Sequence, residues 1–238
     1  MKLETILCCS ALLLFAATIL AEESGNADDQ KPERRLLIEA EQLHARLKDP
    51  LVRLVDVRSA AAYDEAHIPG AIHIDLDDWK RLATSEKGLH DAESWSERIS
   101  PLGLAAKTTV VVYGDNLPGS ARIWWLFKYL GVKNVSLLNG GWEWWNQSGR
   151  PVETEVAEFR AMDFDIDFQL DRIAEMDAIE HSLDTEAMQL VDTRSEGEFE
   201  AGRIPGSVHL EWKELVADDG RFKTEMQLKQ LFRDRGIR

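Results

Sequence analysis

The sequence predicts an α/β protein built twice over, each copy a central parallel sheet with helices on both faces, the second copy incomplete. Three observations carry this. A 22-residue segment starting at Leu54 (LVDVRSAAAYDEAHIPGAIHID) returns at Leu190 (LVDTRSEGEFEAGRIPGSVHLE), ungapped at an offset of 136, with nine identical positions. Leu51 to Val57 is nearly all apolar or β-branched and Thr108 to Tyr113 (TTVVVY) is the strongest β-run of the chain, as expected of parallel strands covered on both faces. Helical segments separate such runs, the alternation that builds a parallel sheet. A period above 100 residues denotes two domain-sized copies and excludes a solenoid of short units.

In chain order, Leu36 to Ile38 reads as a short strand, and Glu39 to Leu47 as a helix with leucines four apart on one face. The next strand ends at Asp56-Val57-Arg58. Residues two apart share a strand face, so Asp56 and Arg58, like Asp192 and Arg194, are expected side by side at the strand's carboxyl end. That edge is where open parallel sheets bind ligands. The plainer reading is structural, with the Asp capping the next helix and the Arg clamping the following turn. Ile68-Pro69-Gly70 and Ile204-Pro205-Gly206 are turns, a fixed φ followed by a residue that tolerates positive φ. His67 and His73 flank the first of these turns and are read as structural, not as a metal pair.

A polar, partly helical stretch leads to the central strand, Thr108 to Tyr113. Gly114 to Ser120 (GDNLPGS) reads as a loop and Ala121 to Leu130 as an apolar helix closed by Gly131. A loop of this kind entering a helix start points backbone N–H groups at an anion. Val135 to Leu138 gives one more strand, and Gly140-Gly141 leads into Trp142 to Gln147. Trp124, Trp125, Trp142, Trp144 and Trp145 are read as core.

The 238 residues admit one large domain or two small ones. With 44% hydrophobic residues and eight tryptophans, the chain has the material for a packed core. A formal charge of -15, without a basic block, disfavours nucleic acid and anionic membranes as partners. Ile6 to Ala21 is an apolar run of 16 residues, short of the roughly 20 of a membrane span, and it reads as a secretory signal cleaved after Ala21. The expected location is therefore exported, periplasmic or extracellular, without stable membrane association. Cys8 and Cys9, the only cysteines, would leave with the signal. The expected division is signal 1–21, polar leader 22–35, first domain 36–158, linker 159–171 and second domain 172–238. No cofactor is indicated, and the scattered histidines form no metal site.

Taken in order, these motifs resemble the tandem-domain rhodaneses, the thiosulfate and 3-mercaptopyruvate sulfurtransferases. The resemblance rests on Leu-Val-Asp-x-Arg-Ser in both copies and on His67-Ile68-Pro69-Gly70-Ala71 with Arg203-Ile204-Pro205-Gly206-Ser207. It also rests on the strand Val110 to Tyr113, on Leu138-Asn139-Gly140-Gly141-Trp142, and on Gly149-Arg150-Pro151-Val152. It covers nearly everything after residue 35. It implies duplicated α/β domains and a cysteine directly after the central strand. That thiolate takes sulfur from a small anionic donor as a persulfide and passes it to a thiol or cyanide.

By resemblance, the equivalents of the reactive loop in the first copy are Gly114, Asp115, Asn116, Gly119, Ser120 and Arg122. Gly114 stands at the cysteine's place, so this copy is expected to be the structural half. Phosphatase chemistry on the same fold also needs a thiol ahead of Arg122, and none is there. Asp56, Arg58, Asp192, Arg194 and Glu198 match positions that support the site. The resemblance puts a sulfonate-binding arginine where Glu198 stands, which sets thiosulfate in doubt as the donor. Aligning Leu102-Gly103-Leu104 with Arg235-Gly236-Ile237, an offset of 133, puts the counterpart of Val110 near position 243. The sequence-based expectation is therefore a fragment or frameshifted copy of a longer sulfurtransferase, inactive as it stands. The alternative is a non-catalytic binding or regulatory module of the cell envelope.

Overall fold

From Leu37 onward the chain alternates strand and helix: β1 (Leu37–Ile38), α1 (Ala40–His44), β2 (Val52–Asp56), α2 (Ala60–Glu65), β3 (Ala71–His73), α3 (Leu76–Ala83) and α4 (Ala92–Ile99). Then come β4 (Thr109–Tyr113), α5 (Leu117–Tyr129), β5 (Asn134–Leu138) and α6 (Gly141–Gln147). The computed structural model describes residues 36–185 and 188–238, in two units that part between Gln169 and Leu170. The expected signal, leader and both cysteines lie outside the described residues.

The first unit holds a five-stranded parallel sheet in the order β1-β5-β4-β2-β3. Neighbouring parallel strands need crossover connections, and the intervening helices supply them. Strand β4 is the middle one. Successive strand residues face opposite ways, yet Val110, Val111, Val112 and Tyr113 are all fully buried, so helices cover β4 on both faces. One core cluster joins Leu43, Leu54, Tyr63, Ile68, Val111 and Trp145. In another, Trp79 packs edge-on to Trp95 at 5.4 Å and lies 5.1 Å from Phe127. Trp124, Trp125 and Trp145 are buried, while Trp142 and Trp144 are half-buried.

Helix α5 begins four residues earlier than the sequence reading placed it. Asn116 caps it, accepting the Gly119 N–H at 2.8 Å, and Pro118 fixes the backbone in its first turn. The loop after β4 is therefore only Gly114 to Asn116. Gly119 and Ser120, expected in that loop, are buried in the helix's first turn. Composition misled here, because Gly, Pro, Asn and Ser mark a capped helix start as readily as a loop.

The stretch after α6 is laid along the first unit in extended form. His67 and Glu153 exchange backbone hydrogen bonds at 2.9 Å, and Arg53 stacks on the Phe159 ring at 3.8 Å. The Met162 N–H donates to Ser100 O, the Asp167 N–H to Leu130 O and the Gln169 N–H to Tyr129 O. The residues expected as a linker, 159–171, thus belong to this unit as far as Gln169.

The second unit contains α7 (Met176–Thr185), β6 (Val191–Asp192), α8 (Glu196–Ala201), β7 (Val208–His209) and α9 (Glu225–Asp234). Its sheet has two parallel strands, β6 and β7. The register is that of β2 and β3 shifted by the repeat offset: Asp56 faces His73, and Asp192 faces His209. Its core is thin. Ile179, Leu210, Leu215, Phe222, Leu228 and Phe232 are buried, whereas Met176, Met188 and Met226 are exposed. Among the described residues no helix is long and apolar enough to cross a membrane.

Candidate functional site

At the carboxyl end of β2, the Asp56 carboxylate accepts four hydrogen bonds from Arg58. The backbone N–H donates at 2.9 Å, Nε at 3.1 Å to both oxygens, and Nη2 at 2.6 Å. Nη2 also donates to Ala66 O at 2.7 Å, closing the end of α2. Asp56 is wholly buried and Arg58 nearly so, and the guanidinium lies 3.8 Å from the centroid of the Trp142 ring. The cap of α2 is not Asp56 but Ser59, whose Oγ accepts the Ala62 N–H at 3.2 Å. Asp56 is occupied by Arg58, and the following serine is free for the helix. Tyr113 lies beside the pair. Burial pushes its phenol well above its usual pKa, and the nearby Asp56 carboxylate adds to the rise.

The second copy repeats this geometry. The Asp192 carboxylate accepts from the Arg194 backbone N–H at 3.1 Å, from Nε at 2.9 and 3.1 Å, and from Nη2 at 2.5 Å, while Nη2 reaches Gly202 O at 2.7 Å. Desolvation works against the charged form of Asp192, but the bonds from Arg194 and the nearness of His209 outweigh it and hold the carboxyl below its ordinary pKa. The histidines after the turns match as well. His73 Nε2 donates to Arg58 O and His209 Nε2 to Arg194 O, each at 2.9 Å. His67 is buried with Nδ1 2.8 Å from Tyr63 O and Nε2 3.0 Å from Glu155 O, its ring stacked on Tyr63. At its counterpart, the Arg203 guanidinium covers Phe199 at 4.7 Å. Among the described residues no group of three or more His, Cys, Asp or Glu side chains is placed to hold a metal ion.

Glu198 is engaged locally. Its carboxylate accepts from the Ser195 N–H at 3.2 Å and from Ser195 Oγ at 2.6 Å, closing a capping box at the start of α8. The first copy has Ala62 at this position and keeps only the serine half of the cap.

Directly after the central strand, Gly114 sits where a side chain would have to push its neighbours aside. A Cβ there would lie 2.8 Å from both Ser120 Oγ and Val57 Cγ2. Its carbonyl accepts the Trp142 N–H at 2.9 Å, and Gly141, at φ +57, approaches so closely that a Cβ would come within 2.5 Å of the Gly114 oxygen. Asp115 and Asn116 are exposed and joined by a 3.2 Å hydrogen bond. At the helix start the Gly119 N–H is taken by the Asn116 side chain, the Ser120 N–H by Asn116 O, and Pro118 has no N–H. The sequence carries no signal of the crowding at Gly114, which depends on Val57 and Ser120 converging there.

A duplicated parallel α/β unit with an Asp-x-Arg brace at the sheet edge defines a class of protein, and comparison with known proteins specifies the family. The rhodanese-like domain family matches residues 39–148 and 175–235, and the chain belongs to it. The "Sulfur carrier protein TtuD" of Thermus thermophilus is 33% identical over 226 residues, covering 85% of this chain and 78% of that protein. The "Thiosulfate sulfurtransferase" of Corynebacterium glutamicum is 30% identical over 226 residues, covering 85% and 73%. Among solved structures, the 3-mercaptopyruvate sulfotransferase SseA of Escherichia coli matches with a TM-score of 0.74 and 25% identity, covering 86% of this chain and 85% of that one.

Proposed function

We propose that the chain serves rhodanese-type sulfur transfer, with the first unit as scaffold and the persulfide carried by a cysteine other than Cys8 and Cys9. The observation that supports this is the paired brace. Asp192 and Arg194 reproduce Asp56 and Arg58 bond for bond, while Gly114 brings no nucleophile to the end of β4. In the reaction, a thiolate attacks the outer sulfur of thiosulfate, the S–S bond breaks and sulfite leaves with the electron pair. Cyanide or a thiol then takes the sulfur and the thiolate returns. With 3-mercaptopyruvate the C–S bond breaks instead, and the carbon fragment leaves with the electron pair as the enolate of pyruvate, which takes up a proton. Glu198, a carboxylate fixed in a helix cap, weighs against the dianion thiosulfate and favours 3-mercaptopyruvate. The acidic chain with its apolar N-terminal run fits an exported protein, periplasmic or extracellular.

The test compares protein purified from its own cells with the recombinant 238-residue chain, using both donors and with cyanide or a thiol as acceptor. Transfer by the native protein, faster with 3-mercaptopyruvate, and none by the recombinant chain is expected. Transfer by the recombinant chain would overturn the placement of the sulfur carrier. Transfer by neither overturns the enzymatic reading and leaves a non-catalytic binding module.

A further inference from the structure

Two buried donors on α5 have no acceptor. Arg122 is 5% exposed and Trp125 1%, and neither Nη1 of the arginine nor Nε1 of the indole meets a hydrogen-bond partner. Their neighbours are satisfied: Trp124 Nε1 donates to Val135 O at 3.0 Å, and the Tyr129 hydroxyl to Leu89 O at 2.8 Å. Arg122 and Trp125 are three residues apart, so the two side chains leave the same face of the helix about a turn from each other. Trp125 is also held in place, stacked on Tyr129 at 5.2 Å and 8°. Among the described residues no carboxylate pairs with Arg122.

Buried donors are normally satisfied, and a guanidinium nitrogen buried without an acceptor is unfavourable. A trapped water accepts the indole N–H but leaves the positive charge uncompensated. What the two donors lack in common is a negative acceptor with more than one oxygen. We propose that Arg122 and Trp125 form a binding site for a small tetrahedral oxyanion of the sulfate class, one oxygen on the guanidinium and another on the indole N–H. The site shares no residue with either Asp-x-Arg brace. It needs no persulfide, so it stands or falls independently of the sulfurtransferase reading.

The test is a titration of the full ¹⁵N-labelled chain with sodium sulfate, ionic strength held constant with chloride. The Trp125 indole N–H resonance is assigned with Trp125→Phe. That resonance is expected to move saturably while the other indoles stay, with a saturable rise of a few degrees in Tm. Arg122→Met, folded by circular dichroism, is expected to lose both effects. No movement, or a linear drift shared with Arg122→Met, overturns the site and assigns the gap to a buried water. Should Arg122→Met fail to fold, the wild-type titration decides alone.

Discussion

The two braces share their hydrogen bonds and differ in what surrounds them. Around Asp56 and Arg58 stand β4, Tyr113 and the Trp142 ring, which leave the side chains 0% and 3% exposed. Asp192 and Arg194 keep 9% and 14%, in a unit whose sheet has two strands. Local geometry is therefore written in the hexapeptide itself. Residues two apart at a strand end pair, the serine caps the next helix, and the arginine closes that helix's far end. Burial is conferred from outside by a strand and a tryptophan remote in sequence.

The largest expected difference between the copies comes from removing each carboxylate. Asp56→Ala strands a guanidinium in the core and should cost the first unit about 3–5 kcal/mol. Asp192→Ala leaves Arg194 within reach of water and should cost the second unit about 1–2 kcal/mol. Seven of the eight tryptophans belong to the first unit, so urea unfolding followed by their emission reports on it. Hydrogen exchange of the Val191 and Asp192 amides reports on the other. Equal losses would show that the hydrogen bonds alone set the worth of the pair.

A smaller effect tests whether the first unit is closed to the chemistry or merely lacks a thiol. Gly114→Cys drives its Cβ against Ser120 and Val57, and should destabilise by about 1–3 kcal/mol without yielding thiocyanate from thiosulfate and cyanide. Transfer by this variant would mean that the position is an open reactive site after all.

The smallest effect is a pH dependence. The carboxyl of Asp192 is held below its ordinary value, so its stabilisation is present above about pH 4 and is lost as pH falls through the lowered folded value. Exchange protection of β6 should decline across that range, and Asp192→Asn, weaker at neutral pH, should abolish the pH-dependent part. An unchanged acid profile in Asp192→Asn would assign the decline to other carboxylates, such as Asp219, held down by its hydrogen bonds from Arg221.

The sheet and its duplication were legible in the sequence because nearly identical hexapeptides, LVDVRS and LVDTRS, carry the ends of equivalent strands, and because β4 is apolar at consecutive positions. The start of α5 was not, since its cap and first turn are made of residues that equally make loops. Residues 153–169 have no helical period, and nothing in Phe159 or Phe168 announces that Arg53 and Tyr129 await them. Arg122 showed itself as a cation at the end of a motif. That it is buried and unpaired beside an unpaired indole follows only from packing, which one sequence does not contain.

The extended stretch that lies along the first unit also determines how the chain yields to force. Load arriving at Leu170 meets the Gln169–Tyr129 bond first, then Asp167–Leu130, then Met162–Ser100, and last the paired contacts of Glu153 with His67. Bonds loaded one after another open as a zipper at low tension, whereas bonds loaded together shear at high tension. Pulled from its C-terminal side, the first unit should release a tether of up to about 5.6 nm, about 17 residues at roughly 3.3 Å each, before its sheet bears any strain.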